Sequence, residues 1–102
     1  MKAKIKIKQV SGEPSWRFNV VVEDNSGQTQ YSVSMSKDFY KSLDTNVEAK
    51  NVIEASFRFL LEREPKGSIL SKFDITAISY YFPEFKKQLI KQLKNKKSEA
   101  EK

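Results

Sequence analysis

WRFNVVVEDNSGQTQYSVSM, residues 16–35, decides the fold. Trp16, Phe18, Val20 and Val22 alternate with Arg17, Asn19, Val21 and Glu23, the period-2 pattern of a half-buried strand. The segment DNSG supplies turn residues and a glycine able to take positive φ. Tyr31, Val33 and Met35 then alternate with Gln30, Ser32 and Ser34, so the stretch reads as an antiparallel hairpin with one apolar and one polar face.

Upstream, in MKAKIKIKQV (1–10), lysines hold the even positions from 2 to 8 while Ala3, Ile5 and Ile7 hold odd ones. This predicts a further strand joined through the turn SGEPS, giving a meander in which the first strand is an edge. Downstream, Ser36 is a candidate N-cap for a short helix, KDFYKSL, with Asp38 in its first turn and Phe39 and Leu43 on its inner side. Thr45 and Glu48 have the spacing of a capping box and predict a long helix over 46–64, ended by Pro65. Its apolar stripe is Ala49, Val52, Ile53, Ser56, Phe57, Leu60 and Leu61, widened by Phe59. Arg58, four residues from both Glu54 and Glu62, reads as solvent-side helix support. Ser68 is placed to cap the turn SILSKF, and Asp74 to cap ITAISYYF, which Pro83 interrupts. Phe82, Phe85, Leu89 and Leu93 recur at helical spacing.

The expected architecture is therefore α+β: a three-stranded antiparallel meander packed against one long helix, with further C-terminal helices, in the order β-β-β-α-α-α. A single domain is expected over 1–94, followed by a polar, disordered tail over 95–102, NKKSEAEK after Lys94, which has no large apolar residue.

The chain has no Cys and no His, so it lacks disulfides, a thiolate nucleophile, an imidazole base and the two commonest zinc ligands. No phosphate-binding loop or dinucleotide-binding glycine pattern is present, and a non-enzymatic protein without cofactor, metal site or small-molecule substrate is expected. The short apolar runs and the alternating N-terminus predict a cytoplasmic protein without membrane span or signal peptide.

The formal net charge is +6, with a pI near 9.5, and the excess sits in residues 1–36 and 86–102. Together the strands place Lys2, Lys4, Lys6, Lys8 and Arg17 with Asn19, Gln30, Ser32 and Ser34 on the face away from the apolar core. Such a face is suited to nucleic-acid phosphates. The competing account is that lysines on an edge strand prevent edge-to-edge aggregation. A second function class is a protein-interaction or regulatory domain, dimeric or with another partner, using the sheet edge or the aromatic cluster of Tyr80, Tyr81, Phe82 and Phe85.

YSVSMSKDFYKSL (31–43) followed by TNVEAKNVIEASFRFLL (45–61) resembles in outline the ribbon-helix-helix DNA-binding proteins, where a polar-faced strand precedes two helices and pairs across a dimer. The likeness implies that Gln30, Ser32 and Ser34 face a DNA groove. Here the first helix is shorter, the Gly-containing connection is missing and a hairpin precedes the strand, so membership is not assigned.

Overall fold

The structure is a computed structural model that describes residues 3–100, with side-chain surroundings through Lys94. Lys2 and the end of the expected tail lie outside the described residues; no side chain beyond Lys94 is described.

Strands β1 (Lys4–Ser11), β2 (Trp16–Asp24) and β3 (Gly27–Met35) form the expected antiparallel meander. The β2–β3 turn is closed by the Asp24 carboxylate, which accepts from the Ser26 amide at 2.8 Å and the Ser26 hydroxyl at 2.7 Å. Gly27 leaves the turn at φ 128°, a conformation open to a residue without Cβ. Parity then sorts the side chains. Phe18, Val20, Val22, Val33 and Met35 are completely buried on one face, and Tyr31 nearly so.

The sheet has four strands, not three. β4 (Lys72–Asp74) lies beside β3 and runs parallel to it, giving the order β1-β2-β3-β4. A parallel neighbour needs a long crossover, and the helical segment between the two strands supplies it. The stretch SILSKF, 68–73, expected as a capped turn, is drawn out at its end instead because Phe73 reaches the core beside Val33 and the Ser71 carbonyl accepts the Ser32 amide at 2.7 Å. Ser68 ends a single 3-10 turn over Lys66–Ser68 and caps no helix.

Ser36 caps α1 (Lys37–Ser42) as expected, its hydroxyl accepting the Phe39 amide at 3.0 Å. The long helix, α2, spans Ala49–Leu61, shorter at both ends than 46–64. The capping box does not form: the Thr45 hydroxyl takes the Val47 amide at 3.1 Å, and the Tyr40 hydroxyl donates to the Val47 carbonyl at 2.5 Å. Val47 is thereby tied to α1, and the helix starts only after Glu48. Arg58 does not point simply to water. Its guanidinium donates to the Ala3 carbonyl at 2.8 Å beside β1, with Glu54 at 3.9 Å, while Glu62 pairs with Arg63.

Asp74 caps the next turn, accepting the Thr76 amide at 3.1 Å, and leads through a 3-10 turn into α3 (Ile78–Tyr81). Phe82, held extended by the following Pro83, breaks the chain before α4 (Phe85–Ala100). The helices cover one face of the sheet only. Tyr31 meets Phe57 at 5.1 Å between ring centroids, and Phe59 meets Phe85 at 5.1 Å, so sheet, α2 and α4 share one core.

Candidate nucleic-acid interface

Among the described residues, none covers the other face of the sheet. Cross-strand partners place its side chains in rows: Lys8, Asn19, Ser32 and Lys72 form one, and Arg17, Ser34 and Asp74 the next. Lys6 stands opposite Val21 and Gln30, and Lys4 opposite Glu23 and Gln28. Lys4, Lys6, Lys8, Arg17, Asn19 and Lys72 are exposed, and Ser32 and Ser34 half-buried. Among the described residues, none of these five cations is in an ion pair; the pairs that form lie at turns, at helix ends and, for Arg58 with Glu54, along α2.

The middle of the face is a shallow concavity of about 490 Å³, bounded by Lys6, Lys8, Asn19, Val21, Gln30 and Ser32. Its chemistry is cationic on the β1 side, at Lys6 and Lys8, and hydrogen-bonding across Asn19, Gln30 and Ser32. Four of the residues expected together, Lys4, Lys6, Lys8 and Arg17, are on this face; Lys2 is not described. No aromatic side chain is found there among the described residues, because the even positions of β2 and odd positions of β3 carry the rings inward.

One carboxylate closes the row beside Arg17. The Ser34 hydroxyl donates to Asp74 at 2.7 Å and the Thr76 hydroxyl at 2.6 Å. Partial burial pushes the Asp74 carboxyl up, but the hydrogen bonds from the Thr76 hydroxyl, the Ser34 hydroxyl and the Thr76 amide outweigh it and hold the group below the usual carboxylate range. Its charge is thus fixed at neutral pH and already engaged. Sequence reasoning missed Lys72 and Asp74 as members of this face; the only local signal was the polar-apolar-polar triplet Lys72-Phe73-Asp74.

The lysines of α4 do not extend the surface. Phe85, Leu89 and Leu93 point α4 into the core on the helical side, so Lys86, Lys87, Lys91 and Lys94 are exposed on the layer opposite the sheet's open face. The aromatic cluster divides. Phe85 is fully buried and Phe82 packs edge-on to Phe59 at 5.8 Å, whereas Tyr80 and Tyr81 are 87% and 67% exposed. Tyr81 and the 53% exposed Leu70 flank a small groove of about 170 Å³ that also includes Leu60, Ile69, Phe73 and Phe82.

A ribbon-helix-helix pairing along the whole of β3 is not available in this fold: β2 takes one of its edges, and β4 takes the other at Ser32, Val33 and Ser34. Among the described residues, no helix is long and apolar enough to cross a membrane, and no three His, Cys, Asp or Glu side chains are grouped to hold a metal ion. No family model, curated protein or solved structure matches the chain.

Proposed function

We propose that the chain is a small non-enzymatic binding module that contacts nucleic-acid phosphates through the open face of its sheet. The observation that carries this reading is the cross-strand row Lys8, Asn19, Ser32 and Lys72, with unpaired Lys6 and Arg17 beside it. Three strand spacings separate Lys8 from Lys72, roughly 14 Å. Cations at both ends of a polar row suit a phosphate backbone lying across the sheet, with Asn19 and Ser32 as hydrogen-bonding groups between them. Base stacking contributes about 1 to 3 kcal/mol per base where aromatic platforms exist. Among the described residues this face offers none, so the binding is to the backbone and depends little on base sequence. Lys4 extends the cationic side, and the cysteine-free composition fits a cytoplasmic location.

The test is a binding titration with duplex nucleic acid at several salt concentrations. Changing Lys4, Lys6, Lys8 and Arg17 together to Gln is expected to weaken binding and to flatten the salt dependence by up to about 0.9 log units for each phosphate that is no longer neutralised. Unchanged affinity and slope on folded protein would overturn the assignment.

A second reading rests on the exposure of Tyr80 and of Tyr81, which shares a groove with the exposed Leu70, apolar surface suited to a protein partner. Under it, Tyr80→Ser with Tyr81→Ser abolishes association with that partner and leaves nucleic-acid binding untouched.

A further inference from the structure

The strand register determines which main-chain groups of β1 face outward. The Ser32 amide is directed at β4, where it donates to the Ser71 carbonyl at 2.7 Å. Ser32 and its partner Asn19 are therefore a pair without mutual hydrogen bonds, and the adjacent pair Val20 and Tyr31 is the hydrogen-bonded one. Parity carries this across β2. Asn19, Val21 and Glu23 direct their main-chain groups at Lys8, Lys6 and Lys4, which leaves the N–H and C=O of Ile5 and Ile7 pointing away from the sheet. The Ala3 carbonyl, of the same parity, is the one that Arg58 caps at 2.8 Å.

The free edge is bounded at both ends. Arg58 occupies it at Ala3, and the register shift between Gln9 and Ser11 ends it at Val10, which is left unpaired and 46% exposed. Between them lie six residues, Lys4 to Gln9, about 20 Å of extended chain. An added strand would meet Lys4, Lys6 and Lys8 on the open face of the sheet, and the half-buried Ile5 and Ile7 on the core face.

We propose that this edge is a docking slot for an extended segment of a partner protein in which carboxylates alternate with apolar residues. The occupant follows from charge. Cross-strand neighbours lie about 4.5 to 5.5 Å apart, where opposite charges stabilise the pair and like charges oppose it. A second copy of β1 would set lysine against lysine, so self-pairing is disfavoured by the same residues that favour an acidic strand. In the antiparallel arrangement, apolar residues of the incoming strand sit opposite Ile5 and Ile7 and exchange both main-chain hydrogen bonds with them. The carboxylates stand opposite the lysines. This interaction goes beyond the phosphate reading, since it uses the edge and its main chain and not the row across the sheet.

The experiment uses the full chain, isotope-labelled, and a capped hexapeptide of alternating Glu and Val. Binding is expected to slow hydrogen exchange of the Ile5 and Ile7 amides by at least tenfold, and a peptide with Lys in place of Glu is expected to bind at least tenfold more weakly. N-methylation of the Val residues should abolish binding, whereas N-methylation of the Glu residues should not, because only the former amides face β1. Ile7→Pro removes an outward N–H while sparing the β1–β2 ladder, so it should abolish peptide binding and keep duplex binding. Failure of the peptide to bind, equal tolerance of both N-methylated forms, or protection confined to residues away from β1 would overturn the proposal. So would concentration-dependent pairing of β1 with itself in place of the peptide.

Discussion

The two faces of the sheet are made by the same strands, yet they differ completely in what surrounds them. Val20 is wholly buried under the helices; Val21, the next residue, lies half-buried on the open face between Lys6 and Gln30. Stability is concentrated in one parity and the candidate binding chemistry in the other. A substitution one position along the chain should therefore change the property affected, and this gives the comparison its sharpest tests.

The largest effect is expected at Val20→Glu. A carboxylate placed among Phe18, Val22 and Tyr31 has no partner there, and the variant should lose about 4 kcal/mol or more and fail to fold cooperatively. A well-folded Val20→Glu protein, judged by thermal unfolding, would break the assignment of this face as core. Next is Phe57→Ala. Phe57 is fully buried at the meeting point of Tyr31 and Phe73, 5.1 and 6.0 Å between ring centroids. Truncation leaves a cavity between the helix and two strands, expected to cost about 3 to 5 kcal/mol by denaturant unfolding.

Acid should act through two turns that hold the layers in place. At the hairpin, hydrogen bonding from Ser26, then from Lys66, holds the Asp24 carboxyl down at about 2, and Lys66 also forms a 3.0 Å ion pair with it. Asp74 is likewise held low where β4 joins the next turn. Both groups bind protons more readily in the unfolded chain, whose carboxyls titrate at about 4. Their contribution is present above that value and is lost as pH falls toward the folded values. The urea midpoint should decline between roughly pH 4 and pH 2, and Asp74→Asn should make that decline shallower while lowering the midpoint at pH 7.

The parity of β1, β2 and β3 was readable because a buried face forces alternation along each strand and a short turn fixes the register. Lys4, Lys6, Lys8 and Arg17 could thus be placed together from their positions in the chain alone. β4 could not be read. It has three residues, and its ties are remote: Ser34 and Asp74, which share a hydrogen bond, are 40 positions apart, so nothing local distinguishes the strand from a turn. Lys72 was consequently missing from the expected site. The start of α2 failed for the opposite reason, since Thr45 and Glu48 satisfy a local rule that Tyr40 overrides by holding Val47 from outside the segment. Residues whose surroundings come from their own neighbours were legible, and those placed by distant partners were not.

The smallest expected effect on stability is also the most discriminating. Val21→Glu puts a carboxylate opposite Lys6 on the open face, beside Lys8 and Gln30 in the same concavity. An exposed cross-strand pair of opposite charge contributes about 0.2 to 1 kcal/mol, set against the loss of a half-buried valine, so the unfolding midpoint should barely move. Binding is a different matter. The new charge sits where a phosphate backbone would cross between Lys6, Lys8 and Lys72, and it both repels the ligand and engages one of its cations. Duplex affinity should fall at least tenfold, with a flatter salt dependence, on a protein as stable as the parent. Val21→Gln, which removes the same methyl groups without adding charge, should keep both affinity and slope. If Val21→Glu binds duplex as the parent does, the open face is not the nucleic-acid surface, and the alternation of its lysines acts at the sheet edge alone, where it opposes self-pairing.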